Sequence, residues 1–177
     1  LKNTVVLAFA VTGAAAALAL PIAWLTVRTD LPWRRVWGVI MVLPLVIPSF
    51  VGALAFIAAL GPRGSFQRLL EPMGVDSLPT IYGFAGTWLV LTLFTFPYLL
   101  LPLRAGLRGI DPAMEEASRA LGAGPWRTFW RVIAPQLRVP MAAGALLVAL
   151  YVVSDFGAVS LLRYDTFTRA IFVQYQS

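Results

Sequence analysis

The sequence contains no cysteine and no histidine, and only 12% of its 177 residues are charged. The two missing residue types exclude a disulfide framework, a thiolate zinc site, and a cysteine or histidine nucleophile within these residues. Soluble domains carry about 25% charged residues, whereas 59% of this sequence is hydrophobic. We therefore predict one membrane domain over residues 1–177, with the lipid bilayer as its solvent.

Four apolar stretches are each predicted to form all or part of a membrane-spanning helix, which requires roughly 20 residues. They are residues 4–27, 36–60 and 81–103, and a stretch that starts at residue 137 and runs to 153. Pro44 and Pro48 interrupt the second stretch, and two breaks one turn apart could shape a transport path. Pro21 and Pro102 are expected only to bend their helices. The pattern predicts an all-α, polytopic bundle.

Arginine is concentrated in the connections 28–35 and 104–138, the second of which holds six arginines. Cytoplasmic connections carry an excess of Lys and Arg, so both are predicted inside and the connection 61–80 outside. The chain then begins outside with Leu1, and we expect a preceding span in a longer protein. The net charge of +6 does not indicate a nucleic-acid partner, because no binding motif accompanies these arginines.

The connection 104–138 has a helical pattern of its own. Asp111 and Pro112 are typical of a helix start, and Gly122 is typical of a helix end in the left-handed conformation. A second helix is predicted from Pro125, and Pro135 is expected to close it. Sequence therefore predicts a short helix, a sharp corner and a second helix between two membrane spans.

The second helix has an apolar face, formed by Trp126, Phe129, Trp130 and Ile133 at helical spacing. From the residues alone, the helix is expected to lie in the lipid headgroup layer, where Trp and Arg are common.

The corner carries a recognisable motif: Glu116, Ala117 and Ser118, then three residues, Gly122, nine residues, and Val132, Ile133, Ala134 and Pro135. It resembles the EAA loop of permeases of type I binding-protein-dependent ABC importers, whose pattern is E-A-A, three residues, G, nine residues, I-x-L-P. Ser118 replaces the third alanine and Ala134 replaces the leucine. The resemblance implies the MetI-like fold and an inner-membrane location. It makes 104–138 a cytoplasmic coupling loop whose first helix docks on a separate ATPase subunit, with Glu116 and Arg119 pairing across the interface. It also favours packing of Trp126, Phe129 and Trp130 against the permease's own spans.

Several phrases resemble the ferric-iron branch of the same family in particular, among them residues 20–25, 43–48, 154–159 and 164–168. They imply delivery of the cargo by a periplasmic binding protein and pairing with a second permease half, either identical or fused in one chain. Thiamine, phosphonate, sulfate, molybdate and polyamine branches share much of these phrases. Those cargoes therefore remain open as alternatives.

Asp155, followed by Phe156 and Gly157, ends the last apolar stretch, and an acid near a membrane is a functional candidate. By the resemblance this segment, together with Pro44 and Pro48, lines the outer gate and the substrate path. The alternative is that Asp155 only caps a helix by accepting backbone N–H groups. A lone carboxylate does not make a metal site, so we predict no metal ligand and no cofactor.

Three classes of function are compatible with a membrane domain. A transporter subunit is favoured, and because no G-x-x-x-x-G-K-[ST] loop is present, ATP hydrolysis is assigned to another protein. A membrane-embedded enzyme would need convergent titratable groups, and the acids at 111, 115 and 116 lack a nearby nucleophile. An ion channel would need rings of carbonyl or charged groups. We therefore predict no catalytic residue in this chain.

Overall fold

The computed structural model describes residues 1–62, 64–71 and 80–175, and those residues contain no strand. The all-α prediction is confirmed. The helices are α1 (Lys2–Arg28), α2 (Arg34–Ile40), α3 (Ser49–Leu60), α4 (Ser65–Leu70), α5 (Phe84–Gly109), α6 (Pro112–Ala120), α7 (Pro125–Gln136), α8 (Arg138–Ser154), α9 (Gly157–Leu161) and α10 (Phe167–Tyr175).

The described residues hold three stretches that are long and apolar enough to cross a membrane, namely α1, Ser49–Gln67 and α5. The pair α7 and α8 makes a fourth when it is counted as one bent span, with an angle of 61° between its two helices. The predicted spans 4–27 and 81–103 are thus confirmed. The helix predicted from 137 is confirmed as α8, which supplies the longer arm of the bent pair.

The core lies where α1, α5 and α8 pack together. Small side chains recur every four residues on the buried face of α1, at Ala15, Ala19 and Ala23. Small residues let helix backbones approach closely, which is the usual way helices associate in a membrane. Gly144 of α8 does the same against Leu99 of α5, because an added Cβ would collide with the Leu99 backbone.

The stretch 36–60 is interrupted near Pro44 and Pro48, as its sequence indicates. Helix α2 ends at Ile40, a 3-10 turn covers Leu43–Val46, and α3 begins only at Ser49. Pro44 and Pro48 explain the breaks, since each lacks an N–H donor and its ring collides with the preceding turn. The long apolar stretch that starts at Ser49 extends beyond Leu60 into the predicted outer connection.

The outer connection is described only in part. It contains the short helix α4, while residues 63 and 72–79 of that connection lie outside the described residues. At the other end of α5 the chain enters the loop 104–138, which contains α6 and α7. The bundle therefore carries this loop at one end of α5 and α8, and residues 155–166 at the other end of α8.

Candidate functional site

Helix α6 begins and ends as its sequence predicts. The Asp111 carboxylate accepts a hydrogen bond of 2.9 Å from the Ala113 N–H, and Pro112 occupies the first turn. At the other end Gly122 has φ +79. The N–H of Gly122 donates to the Arg119 carbonyl, and the N–H of Ala123 donates to the Ser118 carbonyl. These two bonds form a Schellman motif, so the corner after α6 is closed by backbone hydrogen bonds.

One face of α6 is bound to the rest of the chain. Glu115 Oε1 lies 2.7 Å from Arg28 Nη1 at the end of α1, and the two side chains are only 12% and 19% exposed. Arg28 also donates a 3.0 Å hydrogen bond to the Leu107 carbonyl of α5. The Ser118 hydroxyl, one turn further along α6, lies 3.1 Å from the Thr128 hydroxyl of α7. Arg28 therefore connects the ends of α1 and α5 to α6.

The remaining surface of α6 faces away from the bundle. Glu116, Ala117 and Ala120 are exposed, and no residue of α6 is fully buried. Leu121, at the corner, is 88% exposed. Arg119 is exposed too and lies 3.9 Å from Glu115 Oε2 of its own helix. This outer surface of α6 combines small, apolar and charged groups on a helix that is fixed from behind.

Of the three aromatic side chains of α7, one packs on α1 and two are largely exposed. Phe129 contacts Trp24 of α1 edge to face, with ring centroids 5.3 Å apart. Trp126 and Trp130 pack on Phe129 but are 73% and 56% exposed. The interpretation that the second helix packs against the chain's own spans is therefore the better one for Phe129.

The second helix ends one residue after Pro135, which agrees with the predicted end to within one residue. Helix α7 runs to Gln136, and the 61° bend comes at Leu137. A π-helical turn at Phe129–Ile133 precedes the proline, and the Ala134 N–H bonds the Phe129 carbonyl five residues back. The wider turn accommodates the ring of Pro135, which would otherwise collide with the carbonyl four residues earlier.

Asp155 lies just beyond the last residue of α8 and is buried. Its carboxylate accepts hydrogen bonds from the Ser49 hydroxyl, from the Ala158 N–H at 3.0 Å and from the Val159 N–H at 3.4 Å. Burial raises the pKa of this carboxyl, and the three hydrogen bonds oppose that shift. Asp155 thus caps α9 and at the same time binds the first residue of α3.

Pro48, Phe156 and Gly157, also predicted for the gate, lie near this carboxylate, whereas Pro44 packs elsewhere. Pro48 directly precedes Ser49, and Gly157 lies against Phe50, where an added Cβ would collide with the Phe50 side chain. Phe156 packs on Phe172 of α10, with centroids 4.5 Å apart. Pro44 is in the 3-10 turn, which packs against α5.

The predicted coupling residues and the predicted gate residues lie at opposite ends of α8. Glu116, Ala117, Ser118, Arg119, Gly122 and Pro135 lie before α8, whereas Asp155, Phe156 and Gly157 follow it. The 17 residues of α8 separate the groups by about 25 Å, at about 1.5 Å per residue. The described residues contain no cluster of three or more Asp, Glu, His or Cys side chains that could bind a metal ion.

Sequence reasoning did not identify Arg28, Ser49 and Thr128, the side chains that fix these groups in place. It treated Arg28 only as part of an arginine-rich connection that sets the topology, and Glu115 only as an acid without a nearby nucleophile. A partial signal was available for Arg28, because a basic residue at the end of an apolar helix is suited to bind an acid or free carbonyls nearby. No comparable signal marked Ser49 or Thr128.

Comparison with known proteins assigns the family. Residues 15–174 match the model of the binding-protein-dependent transport system inner membrane component. The Fe(3+)-transport system permease protein FbpB 2 of Haemophilus influenzae is 37% identical over 176 residues, 99% of this chain and 31% of that protein. The molybdenum transport system permease protein ModB of Azotobacter vinelandii is 31% identical over 156 residues, 87% of this chain and 68% of that protein.

A third relative is the probable sulfate transport system permease protein cysT of Chlorokybus atmophyticus. It is 33% identical over 138 residues, which are 78% of this chain and 47% of that protein. The chain thus spans about a third of the iron relative and about half of the sulfate relative. The resemblance to type I ABC importer permeases is confirmed. With a family match over nearly its whole length, the chain belongs to the inner membrane components of binding-protein-dependent transport systems.

Proposed function

We propose that this chain forms part of the translocation path of an ATP-driven importer and is coupled to a cytoplasmic ATPase subunit through the loop 104–138. The observation that carries this proposal is the geometry of α6. Its inner face is fixed to α1 and α7 through Glu115 and Ser118, while Glu116, Ala117 and Leu121 are open to a partner. A helix fixed in this way can transmit a push from the partner to the bundle.

The proposed mechanism is alternating access. Two ATPase subunits close on nucleotide and displace the α6 helices of two permease halves, each half identical to the other or fused with it. The displacement changes the relative stability of inward-open and outward-open arrangements, which is a shift of population between two states. Hydrolysis occurs on the ATPase, and this chain contributes no catalytic residue.

A periplasmic binding protein is proposed to deliver the cargo at the opposite end, near Asp155. The carboxylate there binds Ser49 and two backbone N–H groups, so it holds α3 against α9. In this role Asp155 keeps the outer gate closed by hydrogen bonding within the chain. It does not bind the cargo itself.

Cross-linking tests the proposed contact with the ATPase. These 177 residues contain no cysteine, so Ala117→Cys introduces a single thiol on the outer surface of α6. We expect this thiol to cross-link to the ATPase subunit in membranes that hold the assembled transporter. Ser118→Cys is the matched control, since Ser118 is half-buried against Thr128 and should cross-link much less. Equal labelling of both positions by reagents from the periplasmic side, with no cross-link to the ATPase, would contradict the proposal.

Ferric iron is the proposed cargo, supported by the 37% identity with an iron permease over 99% of this chain. Relatives named for molybdenum and sulfate transport are 31% and 33% identical, so both cargoes are the leading alternatives. Thiamine, phosphonate and polyamine are more distant ones.

Uptake of labelled cargo separates these possibilities. Vesicles that hold the full transporter, its ATPase and its own binding protein should accumulate ferric iron on addition of ATP. Labelled molybdate and sulfate should not be accumulated, and an excess of either should leave iron uptake unchanged. Uptake of molybdate or sulfate without iron would reject iron as the cargo while leaving the coupling mechanism in place.

A further inference from the structure

A cavity of about 280 Å³ lies where the end of α1, the start of α2 and the end of α5 meet. Four arginines line it, Arg34 and Arg35 from α2 and Arg104 and Arg108 from α5, together with Thr26 and Val27. A water molecule takes up about 30 Å³ of liquid volume, so the cavity has room for a larger polar group. The cavity lies at the arginine-rich end of the bundle, which is the side predicted to be cytoplasmic.

The positive charge of this arginine cavity is not neutralised within the described part of the chain. Arg28, Arg119 and Arg169 form ion pairs with carboxylates there, whereas none of the four cavity arginines does. Arg104 donates a 3.0 Å hydrogen bond from Nη1 to the Gly38 carbonyl, while its Nε atom is buried and has no partner. The absent side chain of Gly38 leaves the space that this guanidinium group occupies.

The arrangement is unfavourable without a ligand. Arg104 and Arg108 are four residues apart on α5, and like charges at that spacing destabilise a helix. Arg34 and Arg35 bring two further positive charges to the same cavity from a different element. A negatively charged group in the cavity would remove this repulsion, and an oxyanion would also accept N–H groups that have no acceptor now.

We propose that the arginine cavity binds an oxyanion of the phosphate class. The planar guanidinium group offers paired N–H donors that match the oxygens of phosphate, and guanidinium groups from two elements can bind one phosphate from two sides. Basic cavities between membrane helices on the cytoplasmic side bind anionic lipid headgroups. A phosphodiester of a lipid and a free phosphate or sulfate ion share this chemistry, and the experiment distinguishes them.

The test uses the complete transporter, delipidated in detergent, with phosphatidylglycerol as the anionic lipid probe and phosphatidylcholine as the neutral one. Native mass spectrometry should show saturable binding of phosphatidylglycerol that is tighter than that of phosphatidylcholine. Arg104→Gln and Arg108→Gln should each weaken it about tenfold, the size expected for one charged hydrogen bond. Arg131→Gln removes an exposed arginine of α7 outside the cavity and should leave binding unchanged.

Inorganic phosphate and sulfate form the second arm, measured by the shift of thermal unfolding temperature in the same set of variants. Stabilisation by these ions that depends on Arg104 and Arg108, without phosphatidylglycerol binding, would support the site and assign it to a free anion. Arg108 is exposed and makes no ion pair in the described residues, so its variant should fold even if Arg104→Gln does not. Binding of both probes that is indifferent to Arg108→Gln, or no binding of either, would overturn the proposal.

Discussion

Replacing Glu115 with alanine is expected to lower the free energy of unfolding by about 2 kcal/mol, the range for a hydrogen-bonded or paired charge. The substitution leaves the guanidinium group of Arg28, only 19% exposed, without its carboxylate at 2.7 Å. It also releases α6 from α1, so ATP-driven uptake should fall much more than assembly with the ATPase. Thermal unfolding and uptake by the reconstituted full transporter measure the two effects.

Glu116 supplies a matched control, because it is the neighbouring glutamate and is exposed on the outer surface of α6. Glu116→Ala should change stability by less than about 0.5 kcal/mol, as surface substitutions do, while weakening the contact with the ATPase. A double-mutant cycle with Arg28→Ala and Glu115→Ala should give a coupling energy of about 1 kcal/mol or more. Additive effects of the two substitutions would mean that the ion pair does not fix α6.

Replacing Asp155 with alanine is expected to cost about 3 kcal/mol, because it leaves the Ala158 N–H, the Val159 N–H and the Ser49 hydroxyl without their acceptor. Each such group costs about 1 to 3 kcal/mol when it is buried and unpaired. The start of α3 would then be free to separate from α9. We expect a leak in the outward direction, seen as nucleotide-independent release of cargo from loaded vesicles.

Asp155→Asn tests whether this residue acts only as a helix cap or is also needed at the gate for its negative charge. The amide oxygen can still accept from the Ala158 and Val159 N–H groups, so a purely structural cap should retain most of the stability and a tight gate. Ser49→Ala should reproduce part of the alanine effect, because it removes only the contact with α3. A leak in Asp155→Asn as large as in Asp155→Ala would show that the negative charge itself is needed.

Much of the fold could be predicted from local sequence patterns. The apolar stretches predicted α1, α5 and α8, because a helix that crosses a bilayer must be apolar along its whole length. The ends of α6 were predictable for a similar reason, since Asp111 and Gly122 act on backbone groups within a few residues of themselves. The motif around Glu116 pointed to the family, and the family match confirmed it.

Those patterns could not predict contacts between residues that are far apart in the sequence. Ser49 and Asp155 are 106 positions apart, and their pairing depends on how α3 and α9 pack in three dimensions. Likewise, Arg28 meets Glu115 only because the end of α1 lies beside α6 in the folded chain. The π-helical turn at Phe129–Ile133 and the 61° bend at Leu137 were likewise not predicted from the sequence.

In the proposed mechanism the bent span acts as a lever, with its pivot at Leu137, where the direction changes by 61°. Helix α8 then continues without interruption to Ser154, next to Asp155. A tilt of about 10° at the pivot displaces the far end by about 4 Å, given a rise of about 1.5 Å per residue. That amplitude exceeds the length of a hydrogen bond, so in the proposed mechanism a modest rotation at Leu137 would separate Ser49 from Asp155.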